Sequence, residues 1–193
     1  MTSSPDLASP PEDGPSARYP ALFAPQRWEW GGIDARFALT LPPDRLISNI
    51  HLIGFTADGL VVVCEDERGL WFLPGGTREQ DESVLDCLVR ELREEAGARL
   101  VGEPAWIGAH LGVTDRPEPY RPWQPHPEKA WLWGWGEVVV DGEPLNPEDG
   151  EQVVRVAALP AEEAAGLFGH EPWRAELIRL AAELRAQSRS AGA

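Results

Sequence analysis

The stretch "PGGTREQDESVLDCLVRELREEAGA", Pro74 to Ala98, constrains the fold more than any other part of the chain. It interrupts runs of β-forming residues with a helix whose limits are readable. Pro74-Gly75-Gly76 ends a strand at Leu73, Ser83 offers an N-cap with Asp86 three residues on, and Gly97 is a natural C-terminal stop. On a wheel stepped by about 100° per residue, Val84, Leu85, Leu88, Val89, Leu92 and Ala96 share an arc of about 140°, the expected inward stripe. Glu95 projects inside that arc, Glu91 falls just off its edge, and Glu94 lies further round on the same side. A solvated acidic face with Arg90 pairing Glu94 four residues on would explain Arg93 and Glu94. It does not explain Glu95, because a carboxylate turned toward a packed face must be paired, protonated or bound to a cation. Glu91 and Glu95 stand on adjacent turns and can reach one ion. Oxygen ligands of this kind favour a hard cation, Mg²⁺ or Mn²⁺.

Around this helix the order is strands, helix, strands, helix, an α/β pattern in which a mixed sheet carries helices on its faces. Residues 1–18 are rich in Pro, Ser, Asp and Glu and read as a disordered tail; the domain is expected over 19–188, with a flexible end at 189–193. Trp28-Glu29-Trp30 opens a strand-like region running to Leu41. "ISNIHLIGFTADGLVVVCEDERGLWFL" reads as two strands joined by a hairpin at Ala57-Asp58-Gly59, then a short strand at 70–73. Further strands are expected at 105–112, 130–140 and 153–157. A helix from Ala161 to about Ala186 is expected to break near Gly169-His170-Glu171-Pro172.

The net charge of −15 argues against a nucleic-acid polymer or an anionic membrane as main partner. It leaves room for a small anionic substrate, since a divalent cation reverses the local field. The longest apolar run, around Leu60-Val61-Val62-Val63, suits a buried strand rather than a membrane span. Met1 to Pro20 lacks the basic and apolar regions of a secretory signal, and Cys64 and Cys87 make neither a disulfide framework nor a metal-binding spacing. The default expectation is a cytoplasmic protein.

From Gly76 the chain reads Gly, five residues, Glu82, seven residues, Arg90-Glu91-Leu92, one residue, Glu94-Glu95, one residue, Gly97-Ala98. This resembles the Nudix box, G-x5-E-x7-R-E-U-x-E-E-x-G-U with U aliphatic, and every specified position is met. Trp71-Phe72-Leu73-Pro74-Gly75 is similar to the lead-in of mutator-type members. The resemblance implies a Nudix-type α/β/α sandwich with a mixed β-sheet. It also implies a Mg²⁺-dependent hydrolase that cleaves a phosphoanhydride in a nucleoside diphosphate linked to another group. Nucleoside triphosphates come first as substrates, ADP-ribose or ADP-sugars second. By the same resemblance Glu91 and Glu95 are metal ligands, Glu94 a third and Glu82 an auxiliary one, while Arg90 orients a ligating carboxylate. The catalytic base is expected from the loop "DGEPLNPEDGEQVVRV", at Glu148 or Glu151, though an acidic solvated loop reads the same way. A homodimer joined through N-terminal strands is a family expectation. The rival from another class is a non-catalytic nucleotide-binding regulator, against which the intact glutamates speak.

Substrate contacts are expected outside the box. Trp131, Trp133 and Trp135 alternate and so face one way, as a base-stacking platform or, more simply, a core layer. Trp123 lies in the long Pro-rich loop "VTDRPEPYRPWQPHPEK" and could cover a nucleobase; a loop of that length is more often functional than idle. Arg116, Arg121 and Lys129 flank it and could meet phosphate or simply face solvent. Members acting on oxidised guanine nucleotides can carry an Asn near the start of the last helix, where this chain has His170. That departure weakens such a specificity.

Overall fold

A computed structural model describes residues 14–147, 150 and 152–191. The strands are β1 (Gln26–Trp28), β2 (Ile33–Ala38), β3 (Ile47–Phe55), β4 (Val61–Asp66), β5 (Trp71–Phe72), β6 (Gly75–Thr77), β7 (Ala98–Thr114), β8 (Glu128–Val140) and β9 (Val153–Leu159). The α-helices are α1 (Pro15–Arg18), α2 (Pro20–Phe23), α3 (Val84–Ala96), α4 (Ala161–Gly166) and α5 (Pro172–Ala191). Among the described residues the strands form one mixed sheet in the order β1-β2-β7-β8-β3-β4-β5, with β6 on β3 and β9 on β4. Neighbours are antiparallel except β3 and β8, which run parallel. No helix of the described residues is long and apolar enough to cross a membrane.

Successive residues of a strand go to opposite faces, and here the two faces make two cores. Ile53, Phe55, Val61 and Val63 join Trp131 and Trp133 beneath α5. Ile50, Leu52, Val62 and Cys64 join Leu132 beneath Leu88 and Leu92 of α3. The result is an α/β/α sandwich. Leu88 and Leu92 are fully buried, which contributes roughly 1.5–3 kcal/mol each.

Helix α3 keeps its expected limits. Ser83 accepts the Asp86 N–H at 3.0 Å, and Gly97 stops the helix in the left-handed region at φ 56°. Its rotation differs from the wheel. The buried residues are Cys87, Leu88, Glu91, Leu92, Glu95 and Ala96, whereas Leu85 and Val89 are exposed. The packed side is turned by about half a residue step toward the glutamates. Glu91, expected at the margin, is as buried as Glu95.

The expected strand from Trp28 to Leu41 is instead a tight reversal. Glu29–Gly31 form a 3₁₀ turn, and Gly32 at φ 58° sends the chain back as β2. Glycine adopts this left-handed conformation without the steric cost a Cβ would bring. The turn after β3 forms, with Thr56 N–H donating to the Leu60 carbonyl at 2.8 Å, but the ladder holds only Phe55 opposite Val61. The two strands part because β3 takes β8 as partner while β4 takes β9. Strand β7 is longer than expected, running from the end of α3 through register shifts near Val101 and Trp106. Within the segment read as a tail, Pro15–Arg18 make a helical turn, and Arg18 and Tyr19 both engage Glu183 of α5.

Candidate active site

The carboxylates of α3 face a loop that only glycine could bring so close. The Gly75 N–H donates to Glu95 Oε2 at 2.8 Å, with Gly75 at φ 136°. A Cβ at Gly75 would lie 2.2 Å from the Ile50 carbonyl oxygen, and one at Gly76 would lie 2.4 Å from Glu91 Oε1. The backbone therefore closes over both carboxylates, each residue 7% exposed.

One guanidinium organises the rest. Arg90 donates to Glu82 Oε1 (2.8 Å) and Oε2 (3.1 Å), to Glu91 Oε1 (2.9 Å), to Glu94 Oε2 (3.1 Å) and to the Thr77 carbonyl (3.1 Å). Burial opposes the charge on Glu82, but hydrogen bonds from Arg90 and the Glu79 N–H hold its carboxyl below the usual range. Burial pushes the Glu91 carboxyl up to about 7 against the pull of Arg90. So Glu82 is satisfied as an anion by the protein alone, and Glu91 is not.

Among the described residues no three His, Cys, Asp or Glu side chains converge closely enough to cage an ion. A phosphate-handling Mg²⁺ needs less, since one or two carboxylates hold it while water and substrate oxygens complete the shell. Glu91 and Glu95 fit that demand as oxygen donors on adjacent turns, and a cation would relieve the burial of Glu91.

These carboxylates open into a cleft of about 940 Å³. Part of its wall is aromatic, built from Trp28, Trp131, Trp133 and Trp173 with His51. His51 stacks on Trp133 at 4.6 Å, and the Trp133 indole N–H donates to His110 Nδ1 at 3.0 Å. Burial, with the nearby Arg174 charge, pushes both imidazoles down to about 3, so both are neutral. Trp28 Nε1 and His51 Nδ1 are screened from water and have no hydrogen-bond partner among the described residues.

The structure brings Glu91, Glu94, Glu95, Arg90, Arg121 and Trp123 to this cleft. Trp123 is 44% exposed and donates its indole N–H to the Arg78 carbonyl at 3.3 Å. Glu82 sits behind Arg90. Arg116 and Lys129 line a smaller adjoining pocket. His170 is exposed and outside the cleft wall, which is reached instead by its neighbour Glu171. Trp131 and Trp133 are core and cleft floor at once, while Trp135 packs against the core without reaching the cleft. Glu148 and Glu151 lie outside the described residues. Pro147 and Gly150 beside them line the cleft, and the loop is tied to α3 by Leu145 N–H on the Glu94 carbonyl at 2.9 Å. Sequence reasoning missed Trp28, His51, Trp173, Arg174 and Arg78 as cleft residues. The one available signal was local: Trp173-Arg174 follows the break before the last helix, and His51 is a polar residue in an apolar strand.

Comparison with known proteins agrees with this geometry. The NUDIX domain profile matches residues 49–181. A CTP pyrophosphohydrolase of Escherichia coli is 33% identical over 108 residues, covering 48% of this chain and 78% of that protein. An uncharacterized Nudix hydrolase of Bacillus subtilis, YvcI, is 41% identical over 46 residues, covering 24% of this chain but only 29% of that protein. Among solved structures, the MutT protein from Methanosarcina mazei superposes with a TM-score of 0.51 at 16% identity, over 75% of this chain and 99% of that one. The Bacillus subtilis pyrophosphohydrolase BsRppH does so with 0.51 at 13%, over 70% and 77%. Those two likenesses are of fold. With the profile spanning more than half of its length and the box intact, the chain belongs to the Nudix family of pyrophosphohydrolases.

Proposed function

We propose that this protein is a Mg²⁺-dependent hydrolase of nucleoside triphosphates, cleaving a phosphoanhydride by attack of water on phosphorus. The observation that carries the reading is the pair Glu91 and Glu95, buried beneath a glycine loop in a cleft that tryptophans also line. A Mg²⁺ held by these two, with Glu94 turning from Arg90 as a third ligand, would neutralise phosphate charge and lower the pKa of a bound water.

The protein's own groups do the positioning. The Gly75 N–H fixes the Glu95 carboxylate, and Arg90 spans Glu82, Glu91 and Glu94, so one residue sets the spacing of the acidic groups. Arg121 brings positive charge to the cleft beside Trp123. A base entering the cleft would stack on the indoles that line it. The base that takes the proton from water is assigned to the loop carrying Glu148 and Glu151, on the ground that Pro147 and Gly150 border the cleft.

The similarity to a CTP pyrophosphohydrolase supports a nucleoside triphosphate over a nucleotide sugar. A turnover screen with Mg²⁺ across nucleoside triphosphates, nucleotide sugars and dinucleoside polyphosphates tests this. Highest kcat/KM on a triphosphate is expected, and a preference for ADP-ribose would replace the substrate class.

A further inference from the structure

Beside the cleft, sharing Trp30, Tyr120 and Trp131 with it, lies a second pocket of about 300 Å³. Its cations are Arg116 and Lys129. The Lys129 ammonium rests over the Trp131 ring at 5.0 Å, and Arg116 donates to the Trp30 carbonyl. Among the described residues neither makes an ion pair, and neither does Arg121 at the adjoining cleft wall. Arg36, Arg45 and Arg189 also lack one among the described residues, but none of these lines the cleft or this pocket. Elsewhere arginines such as Arg93, Arg99, Arg179 and Arg185 each sit against a carboxylate. Glu118 lines the same pocket, yet it is exposed and within ion-pair distance of neither cation.

Arg116 is exposed, with Asp115 as its charged neighbour, while Lys129 is half-buried and has no carboxylate within ion-pair distance among the described residues. Burial, and then Arg116, lower the affinity of Lys129 for its proton. The buried neighbours Thr114 and Gln124 are polar and uncharged. An anion is the ligand that relieves this arrangement.

We propose that the pocket between Arg116 and Lys129 is an anion subsite that receives a second phosphoryl group of the substrate, beyond those held at the glutamates. Because it opens onto the cleft across the Trp30–Trp131 edge contact, one molecule can reach both. This rests on the hydrolase reading and deepens it. A free phosphate ion has the same chemistry, so the test separates the two sources.

Lys129 is the only lysine in the chain, so protein carrying [ε-¹³C]lysine shows one side-chain resonance. Titrating the full chain with inorganic phosphate should move that signal saturably. Arg116→Gln should weaken the response about tenfold. A non-hydrolysable nucleoside triphosphate added with Mg²⁺ should itself move the signal and displace phosphate. The subsite is overturned if phosphate produces no saturable shift in the unaltered protein. If phosphate binds but the nucleotide analogue leaves its affinity unchanged, the site serves a free ion and the substrate assignment fails. Turnover is measured separately, so an inactive protein whose lysine signal still responds to the analogue would lose the hydrolase reading and keep the subsite.

Discussion

Around the carboxylates of the cleft a single helix and the loop before it supply Glu82, Arg90, Glu91, Glu94 and Glu95, with Gly75 and Gly76 closing over them. Along its aromatic wall Trp28, His51, Trp133 and Trp173 arrive from four separate segments and meet only because the sheet brings them together. One guanidinium ties the first group together; the second holds buried polar atoms without partners among the described residues. Chemistry shared by a family can be built within about twenty residues of chain, where spacing alone sets geometry. The aromatic wall, by contrast, is assembled across the fold from residues far apart in the chain.

That contrast can be broken most decisively at the carboxylates. Glu95→Gln should lower kcat by about 10²–10³-fold or more while leaving the melting temperature near that of the unaltered protein; near-normal turnover would remove Glu95 from the metal site. Next comes pH. In the metal-free protein Glu91 titrates at about 7, above its ordinary 4.5, so its contribution favours the fold below pH 4.5 and is lost as pH rises through 7. The loss amounts to about 3 kcal/mol. Mg²⁺ binding needs the ionised carboxylate, so the rise in melting temperature on adding MgCl₂ should grow between pH 5 and pH 8. Glu91→Gln should flatten the metal-free slope, and an unchanged slope in that variant would refute the assignment. Smaller is Arg90→Gln, for which a fall in kcat of about 10–100-fold is expected from carboxylates losing their common anchor.

A tryptophan that lines the cleft without touching the carboxylates should answer in KM instead. Trp123→Ala should raise KM by the equivalent of about 1–3 kcal/mol of lost stacking with kcat little changed, read from initial rates. A loss in kcat alone would mean that Trp123 acts on the chemistry. Removing residues 2–13, which precede the described part of the chain, should touch neither region and shift stability by less than about 0.5 kcal/mol.

The same division explains what was readable in advance. Ser83, Gly97 and the spacing from Gly76 to Ala98 are local, and they located the helix and its carboxylates. The wheel erred in rotation because it counted Leu85 and Val89 as inward on apolarity alone. Which side of a helix packs is decided by the surface beneath it, and here the glycine loop draws Glu91 and Glu95 inward. Trp28 and Trp30 looked like one strand because the reversal lies in the next two glycines. His51 and Trp173 carried no shared pattern, since nothing in a linear spacing joins residues from β3 and α5.

The parallel pairing of β3 with β8 has a consequence for how the chain is made. Ile50 stands beside Leu132 in that pair, while on its other edge β3 holds Phe55 against Val61 and Asn49 to His51 against β6. During synthesis the β8 edge of β3 therefore emerges bare, and its partner follows roughly eighty residues later, on the order of ten seconds at ordinary translation rates. Non-local strand pairing also slows the search once the chain is complete. The segment "NIHLIGF" is thus the part most exposed to misassociation on the ribosome. Yield in cells should depend on that interval more than on the stability of the finished fold.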